Sequence, residues 1–307
     1  IALLAVTVMW GWTFVWMKQC VEVVGTVLGP HGSVAGIGLF MTLRFGLAAL
    51  VLFALPAVRS KLDAAAWRGG LWVGLALTIG FLLQMYGLEG VSPAVSAFLT
   101  SLYVMFTALL TAARHRTLPH PALCVGVVLA TFGAGFIGGP PQVTFGSAEW
   151  LTIACALVFA VHILVTDDVT KRVAPMAVTF PSFVVVTLGA ALTIPVGMAL
   201  DDELRWPMLA ELVAQPGFWQ PLVLAALIAT VLALSLMNLF QRELDPVRAA
   251  IIYAVEPIWA TLVSLGQGRE EPSAWLYIGG GALLAGNLVA ELGPLLWRRR
   301  FSSVDGR

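Results

Sequence analysis

Charge is scarce in this chain. Only 11% of its 307 residues are Asp, Glu, Lys or Arg, less than half of the roughly 25% found in an ordinary soluble domain. That scarcity excludes a soluble globular class and leaves no basic, aromatic-rich face for nucleic acid. Cysteine is scarce too. Cys20, Cys124 and Cys155 lie in or at the ends of apolar stretches without paired spacing, so neither a disulfide framework nor a metal site is read from them. There is no Gly-rich phosphate loop carrying a Lys, no soluble nucleotide domain and no Cys/His cluster, so ATP-driven pumping and zinc chemistry lack their parts. No cofactor, no metal and no enzyme activity are expected.

Apolar sequence fills the space that charge leaves. Hydrophobic residues make up 59% of the chain and the mean hydropathy is +0.91, which marks a polytopic membrane protein. The pattern predicts an all-α membrane protein with ten spans: 1–24, 34–58, 69–88, 93–113, 121–137, 147–166, 178–200, 221–240, 246–266 and 273–297. Asp201 to Gln220, acidic and carrying Trp206-Pro207 and Phe218-Trp219, reads as an outer-face connector with aromatics at the interface. No cleavable leader is visible. The chain starts inside an apolar segment without an initiator Met, and a few native residues are expected to precede it.

Two parts of the chain repeat. Shifted by 153 residues, Val91 to Gly138 falls on Leu244 to Glu291 without a gap, matching Pro93 to Pro246, Arg116 to Arg269, Pro119 to Pro272, Gly126 to Gly279 and Gly133 to Gly286. Because each unit holds five spans, an odd number, two copies enter the membrane in opposite senses. The predicted fold is therefore two inverted five-helix repeats, 1–138 and 147–297, with a linker at 139–146 around Gly138-Gly139-Pro140-Pro141 and a basic cytoplasmic tail at 298–307. Placing the N-terminus in the cytoplasm puts thirteen of the 17 Lys and Arg residues in inner loops or the tail and only Arg205 and Arg269 outside, as the positive-inside rule requires. Both termini are then cytoplasmic, in a bacterial-type inner (plasma) membrane.

The most telling stretch runs from Asp245 to Val263, with Glu256-Pro257 at its centre. Ten residues past Pro246, Glu256 lies roughly 15 Å into the span, near the midplane. A carboxylate there costs about 2.5–3.5 kcal/mol on insertion scales and so faces a cavity or a partner. Pro257 cannot donate to the carbonyl of Tyr253 and leaves an acceptor free nearby. Arg44 reaches a similar depth in the second span, and an Arg44–Glu256 ion pair is expected, either structural or opened by substrate. Tyr103 is the repeat counterpart of Glu256 and is expected to face the same cavity from the other side. Tyr253 shares a helical face with Glu256. Gln84 and Asn238, at near-equivalent repeat positions, either line the cavity or bond across helices, as does Asn287. Trp16, Phe106 and Trp259 are candidate aromatic walls or simple packing. Lys18, one turn from Glu22, either snorkels to the outer interface or takes part in gating, and His162 is a candidate proton relay or a solvated side chain near the inner interface. The six glycines and alanines Gly126, Ala130, Gly133, Gly279, Ala282 and Gly286 read as close-packing positions.

These stretches carry a resemblance. Trp10-Gly11-Trp12-Thr13-Phe14-Val15 leading to Lys18, Leu43-Arg44-Phe45-Gly46-Leu47, Gly80-Phe81-Leu82-Leu83-Gln84, Ser96-Ala97-Phe98-Leu99-Thr100-Ser101 and Glu256-Pro257 occur in the order seen in EamA-type drug/metabolite transporters. One departure is His115-Arg116, where that family usually has Gly-Glu; Glu270-Glu271 keeps the acidic residue in the second copy only. The resemblance implies a ten-helix carrier of small metabolites, such as amino acids, purines or drugs, often working outward by alternating access. Its partners would be a small-molecule substrate, a coupling proton or cation and the lipid bilayer. An importer of the same family, a membrane-embedded enzyme around Asp167-Asp168 and Lys171-Arg172, or a non-transporting scaffold are the alternatives. The pattern fixes no oligomeric state.

Overall fold

In a computed structural model, the described residues are all except 30–31, 119, 137–144, 242, 245–248, 250–251 and 303–307, with side chains left aside at 135, 291 and 294–302. Much of the predicted linker, the start of the ninth span including Pro246, and the last half of the tail thus lie outside the described residues. The described chain forms helices and no strands. Hydrocarbon supplies no hydrogen-bond partners, so an apolar segment crossing it must bond its own backbone, and a helix does that within one segment.

In order, the elements are α1 (Ala2–Leu28), α2 (Ser33–Ala54), the short α3 (Pro56–Arg59), α4 (Ala64–Gly90), α5 (Pro93–Thr100), α6 (Tyr103–Arg114) and α7 (Pro121–Phe136). The second half holds α8 (Ser147–Thr170), α9 (Pro175–Leu200), α10 (Trp206–Ala214), α11 (Pro216–Leu224), a π-helical turn (Ala225–Leu232), α12 (Ala233–Gln241), α13 (Glu256–Gly266) and α14 (Ala274–Ser302). Among the described residues six helical segments are long and apolar enough to cross a membrane, and Pro121–Ala134 and Ala274–Ala290 are shorter apolar helices. The connector after α9 is helical, and Leu209 and Leu212 of α10 are buried.

Local chemistry sets the helix ends. Asp63 accepts from the Ala66 N–H at 2.7 Å and Ser92 from the Val95 N–H at 3.2 Å, each satisfying a donor that the first turn leaves free. Inside the spans, Thr42, Thr78, Thr107, Thr111 and Thr170 return their hydroxyls to the carbonyl four residues back, so a polar side chain costs little in lipid. Leu50, Trp72, Ile79, Leu188, Leu192 and Val196 point outward and are exposed, as a lipid-facing surface allows.

The helices pack in matched sets. α7 lies on α14 and α2 on α9; α4 lies on α8 and α9, α1 on α12 and α13, and α6 on α8. At the α7–α14 crossing a Cβ on Gly126 would sit 2.6 Å from the Gly286 carbonyl oxygen, and one on Gly133 would sit 2.6 Å from that of Gly279. Only glycine permits this approach, so the small-residue positions read from the sequence do meet.

Lys18 does not snorkel beside Glu22. Its ammonium donates to the carbonyls of Leu88 (2.7 Å), Glu89 (3.2 Å) and Val91 (3.0 Å), the free acceptors at the C-terminal end of α4. Glu22 instead takes Arg269 at 2.8 Å.

Two stability tests follow from this packing. Gly126→Leu should destabilise the protein by roughly 1–3 kcal/mol because the helices must part, whereas Gly281→Ala, with nothing within 4 Å of the added atom, should leave it unchanged. Thermal unfolding in detergent measures both, and equal midpoints would refute the crossing. Lys18→Met should cost about 1–3 kcal/mol by stripping charged donors from three carbonyls. The same melt would show no shift if water serves those carbonyls equally well.

Candidate functional site

Two helices break at the centre of the bundle. α5 ends at Thr100, Ser101 and Leu102 form a turn, and α6 restarts at Tyr103. In the second half Ala254 and Val255 form a turn and α13 starts at Glu256, with Pro257 next to it in the first turn. Pro is tolerated there because those N–H groups have no helical acceptor. The first break has no proline. Asn287 of α14 supports it, donating to the Ser101 carbonyl at 3.2 Å and to its hydroxyl at 3.0 Å. Each break sets a side chain at a helix N-terminus, where the positive end of the helix dipole favours an anion.

The two side chains meet. The Tyr103 hydroxyl donates to Glu256 Oε2 at 3.2 Å, and both residues are buried. They share a cavity with Trp10, Thr13 and Phe14 of α1, Leu77, Phe81 and Gln84 of α4, Thr100 of α5, Phe159, His162 and Ile163 of α8, Leu234 and Met237 of α12, and Tyr253. The cavity gives about 60 Å³ to the centres of water-sized molecules, enough for a few waters. Gln84 donates to Thr100 at 3.4 Å. Tyr253 donates to Gln241 at 3.3 Å, which in turn donates to the Ile163 carbonyl at 3.2 Å. His162 shares a 3.2 Å contact with Thr166, and the buried Thr13 hydroxyl has no hydrogen-bond partner among the described residues.

The lining is made of residues at constant intervals. Tyr103 and Glu256, Thr100 and Tyr253, Gln84 and Met237, and Phe81 and Leu234 are each 153 apart. Trp10 and Phe159, Thr13 and His162, and Phe14 and Ile163 are each 149 apart. Only Leu77 lacks such a counterpart in the wall.

Several expectations need correction. Arg44 forms no ion pair with Glu256. Its Nε donates to Thr230 at 2.8 Å and its Nη1 to the Met17 sulfur at 3.2 Å, and its guanidinium lies 4.9 Å from the Phe81 ring centroid and 5.3 Å from that of Phe45. Fully buried, with Nη2 unpartnered among the described residues, it stands behind Phe81 and outside the cavity wall. Thr230 reaches it from the π-helical turn, an irregularity that re-aims side chains. Asn238 also leaves the wall and donates to Thr179 at 2.7 Å, tying α12 to α9. Trp16 packs on Trp12 with centroids 5.9 Å apart, and Trp259 is set against Gly11; neither lines the cavity. His162 is buried in the wall rather than solvated. Sequence reasoning missed ten of the fifteen lining residues, Trp10, Thr13, Phe14, Phe81, Thr100 and Phe159 among them. The signal that finds the α1 members is the repeat carried back to α1 with the interval shortened by four, which sets Thr13 opposite His162.

Chemically, the site presents a carboxylate, an imidazole, two phenols, an amide and two hydroxyls between aromatic rings. It can hold a small polar molecule or a cation. Among the described residues no three His, Cys, Asp or Glu side chains come together to hold a metal ion.

Known proteins match most of this chain. A protein of Archaeoglobus fulgidus described as an uncharacterized transporter is 24% identical over 293 residues, which cover 95% of this chain and 85% of that one. One crystal structure of a protein agrees in fold, with a TM-score of 0.60 at 20% identity over 95% of this chain and 98% of its own. The model of the EamA-like transporter family matches residues 1–139 and 146–291. With both halves of the bundle and every residue of the described cavity inside those ranges, the chain belongs to the EamA-like transporter family and is a multi-pass membrane transporter of the drug/metabolite superfamily.

Proposed function

We propose that this transporter is a secondary carrier that exports a small metabolite, such as an amino acid, a purine or a drug-like compound, across the plasma membrane by alternating access. The fold behind this reading is ten spans in two inverted five-helix units, 1–138 and 147–297, joined by the 139–146 linker, with both termini cytoplasmic as the basic loops dictate.

The paired cavity wall carries the reading. A twofold axis in the membrane plane would send each helix of one unit onto its counterpart, and three pairings support that reading: α1 on α13 beside α8 on α6, α1 on α12 beside α8 on α4, and α7 on α14, which would map onto itself. The cavity draws on α1, α4 and the α5–α6 helix from one unit and on α8, α12 and the α13 helix from the other. A site built equally from two halves can be exposed to either face when one half rocks against the other.

Within it, Glu256 takes the substrate or the coupling proton or cation, with Tyr103 and His162 as its neighbours in the wall and Gln84 and Tyr253 as orienting groups. Arg44, Asn238, Trp16 and Trp259 hold the helices that carry the wall, and Lys18 fixes the end of α4.

Cells expressing the intact protein should release at least one metabolite into the medium that vector-only cells retain, and Glu256→Gln should abolish that release. Untargeted metabolite profiling of the medium makes the test. Uptake in place of release would reverse the direction, and equal release by Glu256→Gln would remove Glu256 from the path. Tyr103→Phe should be milder, slowing release roughly tenfold, as expected for losing one hydrogen bond to a charged group; an unchanged rate would mean the phenol only packs.

A further inference from the structure

Beyond the cavity, two contacts stand out because they obey the same intervals as its wall. At one end, Arg114 at the end of α6 grips Asp168 near the end of α8 through two bonds, Nη1 to Oδ2 at 2.7 Å and Nη2 to Oδ1 at 3.2 Å. At the other, Gln19 of α1 meets Gln267, the residue after α13, at 3.5 Å. Asp168 is 149 residues beyond Gln19, and Gln267 is 153 beyond Arg114. These are the cavity intervals, so one contact is the repeat image of the other. Each is equally far from the cavity: six residues separate Thr13 from Gln19 and His162 from Asp168, and eleven separate Tyr103 from Arg114 and Glu256 from Gln267, or about 9 and 16 Å along a helix.

The contacts lie at opposite ends of the bundle. Lys18, next to Gln19, holds the C-terminal end of α4. From there the chain runs through the apolar Pro93–Arg114 segment of 22 residues, about 33 Å of helix, before it reaches Arg114. A bilayer's thickness of helix therefore separates the two.

We infer that Arg114–Asp168 and Gln19–Gln267 are the latches that close the cavity at its two ends, the second reinforced by Glu22–Arg269 at 2.8 Å. This inference rests on the alternating-access reading of the same cavity. The latches join the helices whose packing must open, α6 to α8 at one end and α1 to α13 at the other. They are also weak enough to open. The Arg114 and Asp168 side chains are 52% and 42% exposed, and those of Arg269 and Glu22 are 24% and 48% exposed; such pairs are screened by water. A buried pair would hold the carrier shut. The Glu22–Arg269 reinforcement has no image, because the matching positions are Lys171 and Arg116, two cations.

The test replaces Cys20, Cys124 and Cys155, installs Thr13→Cys as a reporter in the cavity wall, and measures labelling by a membrane-impermeant thiol reagent in right-side-out and inside-out vesicles. Asp168→Asn should raise labelling roughly two- to fivefold from one face only, the range set by an exposed ion pair. Glu22→Gln combined with Gln19→Ala should raise it from the opposite face only. The swap Arg114→Asp with Asp168→Arg should restore the starting rate. A disulfide between Arg114→Cys and Asp168→Cys should block labelling from its face, a readout that also exposes a misfolded variant. Labelling that rises equally from both faces, or in neither variant, overturns the latches. Sided labelling without any metabolite movement would instead sink the carrier reading and leave the latches standing.

Discussion

Hydrocarbon gives a polar atom nothing to bond with, and every departure from plain apolar helix in this protein is a response to that constraint. Threonines return their hydroxyls to their own helix, Asn287 covers the break before α6, Lys18 collects the loose carbonyls of α4, and Arg44 shares its protons between a threonine and a thioether. What cannot be satisfied locally is turned inward. The central cavity is therefore where the remaining polar chemistry collects, and its position follows from the same rule that makes the rest of the chain helical.

Arg44 shows how far local satisfaction extends. A guanidinium at depth was expected to need a carboxylate, and Glu256 was the obvious choice. Instead it packs against the rings of Phe45 and Phe81 and takes the hydroxyl that the π-helical turn offers. Aromatic faces and two acceptors, a hydroxyl and a thioether, replace the counter-ion, and among the described residues Glu256 has no fixed cation and lines the cavity.

Much of this was legible in the sequence because membrane helices announce themselves by length and because Pro and Gly recur in register. The 153-residue interval alone sets Tyr103 opposite Glu256, and the glycine pairs of α7 and α14 follow from it. The α1 and α8 walls were not legible in the same way. The interval there is four residues shorter, and nothing in an apolar stretch marks that change, so Trp16 reads as a wall candidate while Trp10 and Thr13 go unmarked. Side-chain direction was the other blind spot. Asn238 and Gln84 occupy near-equivalent positions, yet a one-residue offset turns one toward Thr179 and the other toward Thr100, a rotation of about 100° on a helix.

The repeat pairs that line the cavity are equivalent in place but not in chemistry. Tyr103 stands opposite Glu256, Thr13 opposite His162, and Gln84 opposite Met237. A guest between them meets a carboxylate and an imidazole from one half and hydroxyls and an amide from the other. The container is nearly symmetric while its contents are handed, so a molecule that fits in one pose does not fit when turned end for end. Under the proposed alternating access it leaves with the opposite end foremost from the one by which it would enter through the same door, keeping its orientation while the walls around it exchange openings.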